Sequence, residues 1–65
     1  MFFKLVVKDV PFFGDRFEIK QHVWGLLANG VNFKHMTLSE VFNNGRLVRR
    51  PDVLSQIVAE CEALN

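Results

Sequence analysis

The sequence predicts a small α+β domain in which one strand, one helix, a hairpin and a second helix follow one another (βαββα). Three observations support this prediction: apolar residues alternate near the N-terminus, an Asn-Gly pair lies between two apolar segments, and the C-terminal segment carries an apolar stripe at helical spacing. Three strands would then form a sheet with both helices on one of its faces. Because the 65 residues include no linker, repeat or low-complexity segment, we expect a single domain over residues 1–65.

The first strand is predicted over residues 2–8. Its odd-numbered positions, Phe3, Leu5 and Val7, are all apolar, whereas its even-numbered positions mix apolar residues with lysines. Successive side chains of a strand point to opposite sides of the sheet, so the odd positions are expected to face a core.

The segment from residue 9 to residue 15 is predicted to be a loop, because Pro11 and Gly14 both interrupt regular structure. Phe12 and Phe13 lie between them. Apolar rings on a loop either fold back under the domain or are exposed to a partner. Adjacent residues of an extended segment point to opposite sides, which makes burial of both rings difficult.

The first helix is predicted over residues 16–29. Asp15 and Glu18 have the spacing of a capping box, and Gly30 stands where a helix commonly ends. Residues 16–20 also fit a strand, because Phe17 alternates with charged neighbours. In that case residues 2–20 would form a hairpin with the two phenylalanines at its tip.

Asn44-Gly45 between apolar residues is the strongest short-range signal for a hairpin. A two-residue turn at this position predicts three cross-strand pairs: Phe42 with Leu47, Val41 with Val48, and Glu40 with Arg49. The alternative is a short helix that begins at Thr37, because Thr37 and Glu40 also have capping-box spacing. We favour the hairpin.

The last helix is predicted from Pro51, which suits the first helical position, with Asp52 in the first turn. Its apolar residues form one stripe: Val53, Leu54, Ile57, Val58, Cys61 and Leu64. Cys61 is expected to act as a small buried hydrophobic residue within this stripe.

Composition and motifs do not favour an enzyme, a metal or a cofactor. Cys61 is the only cysteine, so an intrachain disulfide is impossible and a zinc site would be short of thiolates. Glu18 and His22 could supply half of a metal site, but no third ligand has suitable spacing. No phosphate-binding glycine loop or nucleophile motif is present, and we expect neither catalytic residues nor a cofactor.

The N-terminal segment does not resemble a targeting sequence, because Lys4 and Lys8 interrupt it and no small-residue cleavage site follows. No stretch is long enough for a transmembrane helix. We therefore expect a cytoplasmic protein without membrane contacts.

The preferred hypothesis is a non-enzymatic protein-binding module, that is, a small regulator, inhibitor or adaptor. The residues predicted to bind the partner are Phe12 and Phe13 of the loop together with Phe2 and Val6 of the adjacent strand face. The partner would be a larger protein or a second copy of the chain. Chains of this size are often accessory regulators, including proteins of mobile elements, and we extend that expectation to this protein.

The alternative hypothesis is a nucleic-acid-binding regulator that acts as a dimer. Its contacts would come from Arg46, Arg49, Arg50 and Lys34 on the basic edge of the hairpin, despite a net charge of only +1. Arg49 and Arg50 also precede the last helix, where the helix dipole disfavours positive charge. Local stability gives no reason for that placement, whereas an anionic ligand would. The other interpretation is a solvated face that Glu40 partly neutralises, because exposed charges cost little wherever they lie.

Overall fold

The computed structural model describes residues 1–64, which form a four-stranded antiparallel sheet and two α-helices. The elements in chain order are β1 (Phe2–Val7), β2 (Val10–Gly14), α1 (Arg16–Ala28), a short 3₁₀ helix (Phe33–His35), β3 (Met36–Val41), β4 (Leu47–Arg49) and α2 (Pro51–Ala63). The strand order across the sheet is β2-β1-β3-β4. An α+β domain with two helices and an antiparallel sheet is thus confirmed, but the predicted βαββα order with three strands is wrong.

The additional strand is β2, which lies where the sequence predicted a loop. Val7 pairs with Val10, and the two residues between them, Lys8 and Asp9, both have positive φ (50° and 64°). This is the geometry of a tight two-residue hairpin turn, which usually contains Gly or Asn. The turn contains neither residue, so the sequence did not predict a hairpin at this position. Pro11 is accommodated because β2 is an edge strand, where a missing N–H need not break the ladder.

Helix α1 begins as predicted. The Glu18 backbone N–H donates to the Asp15 carboxylate (2.8 Å) and the Asp15 N–H donates to Glu18 Oε1 (3.0 Å), which completes the capping box. A Cβ on Gly14 would lie 2.9 Å from the Cβ of Glu18, so glycine is needed where β2 meets this cap. Residues 16–20 are helical, and the strand alternative for them is wrong.

The hairpin between β3 and β4 is present, but its register differs by one residue from the prediction. Leu47 lies opposite Val41, and Arg49 lies opposite Ser39. The turn has three residues instead of two: Phe42 N–H donates to the Arg46 carbonyl, and Gly45, at φ +82°, donates back to the Phe42 carbonyl. Because β3 begins at Met36, the alternative of a helix from Thr37 is also wrong.

Both helices pack on the same face of the sheet, which we call the inner face. The odd positions of β1 lie on it, as the alternation predicted, and so do alternate residues of β3. The core between this face and the helices consists of Phe3, Leu5, Ile19, Val23, Met36, Leu38, Val53, Leu54, Ile57, Val58 and Cys61. Helix α2 buries its predicted stripe up to Cys61, and this burial raises the pKa of the Cys61 thiol.

An ion-pair cluster joins the two helices at their solvent-facing side. The Arg16 guanidinium donates two hydrogen bonds to the Glu60 carboxylate (3.2 and 3.0 Å), and Lys20 Nζ lies 3.4 Å from Glu60 Oε1. The hydrogen bonds from Arg16 are the main reason why the pKa of Glu60 lies below its usual value.

The β1–β2 turn provides a test of the topology. The double substitution Lys8→Asn with Asp9→Gly introduces the residues that this turn prefers, so the free energy of unfolding in urea should rise by about 0.5–1 kcal/mol. The matched control is Asn44→Gly, because Asn44 does not have positive φ and its side chain accepts a hydrogen bond from Arg46 N–H. The control should lower stability, and equal effects of the two changes would contradict the assigned turns.

The Glu60 cluster predicts a pH dependence. Because the folded-state pKa of Glu60 is depressed, its contribution to stability is present above the unfolded-state pKa and is lost as pH falls through the folded-state pKa. In urea titrations Glu60→Gln should therefore be less stable than the parent at pH 7, and the difference should vanish in acid. The control Glu62→Gln should show no such loss at pH 7. A Glu60→Gln deficit that is constant with pH would contradict the ion pair.

Candidate functional site

The side of the sheet that faces away from both helices, which we call the outer face, is not covered by any element of residues 1–64. Strand alternation and the cross-strand register define its residues: Phe2, Lys4, Val6, Pro11, Phe13, Thr37, Ser39, Val41, Leu47 and Arg49. Antiparallel sheets that are solvated on one side usually carry polar residues there. Most of the side chains on this face are apolar instead.

Three rows of side chains run across the outer face. Phe2, Val41 and Leu47 form the first row, and Pro11, Val6 and Thr37 form the third. The middle row contains Phe13, Lys4, Ser39 and Arg49 in that order. The face therefore combines two largely apolar rows with a central row that bears two positive charges.

The aromatic part of the face is a stacked pair of rings. Phe2 and Phe13 are diagonal neighbours on β1 and β2, with ring centroids 6.4 Å apart and planes inclined by 17°. Their exposed fractions are 48% and 50%. Lys4 Nζ lies 5.8 Å from the centroid of the Phe13 ring, within the range of a cation–π contact. The pair is thus held in a defined arrangement while about half of each residue stays in contact with solvent.

The structure brings three of the four predicted partner-binding residues together on the outer face: Phe2, Val6 and Phe13. It separates Phe12 from them. Phe12 lies opposite Leu5 on the inner side, packs partly against the core, and stacks on His22 with ring centroids 4.1 Å apart. The two phenylalanines do point to opposite sides, but they do so from an edge strand and not from a loop.

Sequence reasoning missed the members of the face that depend on long-range pairing. Pro11 was predicted to interrupt regular structure, but it lies in β2. Leu47 was predicted to pair with Phe42 and Val41 with Val48, but Leu47 and Val41 pair with each other. Lys4 was recognised only as part of a mixed strand face. The available signal was the alternation in β1, which identified Phe2 and Val6.

The basic residues of the alternative hypothesis are not gathered into one site. Lys34 precedes β3 and Arg46 follows it, so they lie at opposite ends of that strand. Of the four basic residues, only Arg49 lies on the outer face.

Arg50 is held in ion pairs within the fold. Its guanidinium donates two hydrogen bonds to Asp52 (3.1 and 3.0 Å) and a third to Glu40, whose side chain is buried. The hydrogen bonds from Arg50 are the main cause of the lowered pKa of Asp52. Arg50 therefore neutralises two carboxylates near the start of α2, which supplies the local reason that the sequence lacked for a positive charge at this helix end.

A second apolar surface lies in a groove between the two helices. Phe17 and Trp24 of α1 and Leu64 after α2 line a cavity of about 160 Å³ above Cys61. Phe17 and Trp24 are 66% and 48% exposed. Arg16 and Lys20, which lie beside this groove, both form ion pairs with Glu60.

Within residues 1–64, no group of three or more His, Cys, Asp or Glu side chains is arranged to hold a metal ion. In the same residues no helix has both the length and the apolar character required to cross a membrane. No family model matches the sequence, and no curated protein or solved structure is significantly similar to it.

The different positions of Phe12 and Phe13 give a direct test of the face assignment. Phe12→Ala removes a ring packed against the core and should lower the free energy of unfolding by about 2 kcal/mol. Phe13→Ala removes a half-exposed ring and should lower it by less than about 1 kcal/mol. Urea denaturation followed by circular dichroism measures both. Equal losses, or a larger loss for Phe13→Ala, would contradict the placement of β2.

Proposed function

We propose that the protein is a non-enzymatic protein-binding module, a small regulator, inhibitor or adaptor that docks on a larger protein through its outer face. One observation carries this proposal. Phe2 and Phe13 form a half-exposed aromatic stack on a sheet face that no other element covers within residues 1–64. A contiguous apolar patch on the surface of a small domain is typical of an interaction site.

The edges of the sheet favour docking on the face over strand addition. Edge strand β2 contains Pro11, which has no N–H to donate to an incoming strand. The other edge strand, β4, has only three residues. Both features limit pairing with another chain, so the side chains of the face remain the better basis for binding.

The charge of the face favours a different protein over a second copy of this chain. A two-fold contact would place the outer face against itself, so that Lys4 and Arg49 of one copy would approach the same residues of the other. Juxtaposed like charges at an interface are unfavourable. A larger protein with complementary charge does not incur this cost.

The test is affinity capture from the native host, performed with and without nuclease and followed by mass spectrometry. The parent protein is compared with the variant Phe2→Ser with Phe13→Ser, which removes both aromatic rings from the outer face. The matched control is Phe17→Ser with Trp24→Ser, which removes two similarly exposed aromatic residues from the helix groove. Circular dichroism establishes that each variant is folded.

We expect a protein that is retained after nuclease treatment, is lost with the outer-face variant and is retained with the groove variant. Two results would overturn the proposal: recovery of nucleic acid alone, or a partner that the outer-face variant binds as well as the parent does. Loss of the partner only with the groove variant would move the binding site to the helices.

A further inference from the structure

The positive charges of the outer face have no acidic partner among residues 1–64. The ion pairs among residues 1–64 involve Arg16, Lys20 and Arg50, and neither Lys4 nor Arg49 has a carboxylate within 4.0 Å. The face itself contains no Asp or Glu. Lys4 and Arg49 are also in one row, with the small residue Ser39 between them. A partner that places carboxylates over this row would gain complementary charge.

The backbone beneath the face is already satisfied. Strands β1 and β3 lie in the middle of the sheet and pair on both sides. The face therefore offers side chains and no row of free N–H and C=O groups. A bound segment must satisfy its own backbone, and an α-helix does this within a single segment.

The face is also large enough to accommodate a helix. Four strands span about 14 Å across, and β1, β2 and β3, which have five to six residues, are about 17–20 Å long, whereas β4 has three residues. A helix of 13 residues is about 20 Å long and about 10 Å wide, so its length matches that of the longer strands, and two helices of this length already pack on the inner face of the same sheet. A standard interface between two globular proteins buries about 800 Å² on each partner, which is more than a face of this size provides by itself.

We propose that the segment bound on the outer face is an amphipathic helix of the partner whose apolar stripe is flanked by Asp or Glu residues. This inference rests on the proposed function and specifies the chemistry of the same site. The apolar stripe contacts Phe2, Phe13, Val41 and Leu47, and the flanking carboxylates lie over Lys4 and Arg49. The bound helix covers the sheet from the side opposite to α1 and α2.

The same face is less suited to a single-stranded nucleic acid. Base stacking requires an open aromatic face. The Phe13 ring is stacked on Phe2 and is approached by Lys4 Nζ. The affinity of a protein for a nucleic acid also depends on many contacts between basic side chains and phosphates, whereas this face has two basic side chains.

The test uses a phage-displayed library of 16-residue helix-forming peptides. Each peptide has an apolar stripe, and every position that flanks the stripe is either Glu or Lys. The library is selected separately on the parent protein, on Lys4→Glu with Arg49→Glu, and on the outer-face variant Phe2→Ser with Phe13→Ser. A fluorescent single-stranded 12-nucleotide DNA is titrated in parallel as the nucleic-acid probe.

We expect Glu-flanked peptides to be enriched on the parent, Lys-flanked peptides on the charge-reversed protein, and neither on the outer-face variant. A Glu-flanked peptide selected on the parent should bind the charge-reversed protein at least about tenfold more weakly. Lys4→Gln with Arg49→Gln, which removes the charges without reversing them, should give an intermediate loss.

Several results would overturn the inference: no enrichment on the parent, enrichment without preference for Glu, equal enrichment on the outer-face variant, or tight binding of the DNA probe through Lys4 and Arg49. Failure of the inference can be distinguished from failure of the proposed function. A captured partner that depends on Phe2 and Phe13, together with a library that yields no helical peptide, rejects the acidic helix and leaves the docking face in place.

Discussion

Every side chain of a β-strand points to one face of its sheet or to the other, and both helices of residues 1–64 pack on the same face. The two 13-residue helices cover the inner face, where they bury the odd positions of β1 with their own apolar residues. The even positions of β1 and their neighbours are left on the outside. The core, the orientation of both phenylalanines of β2 and the composition of the outer face all follow from this asymmetry.

The domain that carries the exposed face is small and has few means of stabilisation. A chain of this length buries only about 60% of the surface that its unfolded form exposes, and Cys61 has no cysteine with which to form a disulfide. The remaining contributions are visible at the junctions between elements: the Asp15–Glu18 capping box, the Glu60 cluster and the ion pairs of Arg50. Apolar residues that face solvent contribute little to this stability. Binding of a partner removes them from water and therefore stabilises the folded state.

Elements whose signals lie within one segment of the sequence were predicted correctly. Features that depend on pairing between distant strands were predicted only in part. The alternation of β1, the capping box of α1 and the apolar stripe of α2 each lie within one segment. The first two were confirmed, and the stripe was confirmed as far as Cys61, whereas Leu64 is exposed. Strand β2 was missed because its turn, Lys8-Asp9, has neither Gly nor Asn and because Pro11 favours a break unless the strand lies at an edge. The predicted pairing of β4 with β3 was wrong by one residue, because Asn-Gly fits both a two-residue and a three-residue loop. The outer face combines residues of all four strands, so it could be recognised only in part, through Phe2, Val6 and Phe13.

The central claim is that the aromatic stack of the outer face is exposed in the free protein. It can be tested by NMR with a soluble paramagnetic cosolute, at a concentration where sedimentation shows a monomer. The relaxation enhancement of the Phe2 and Phe13 ring protons should approach that of exposed Phe17 and exceed that of buried Phe3 several-fold. If the Phe2 and Phe13 rings were as protected as the Phe3 ring, the outer face would be covered, and this account of the protein would be contradicted.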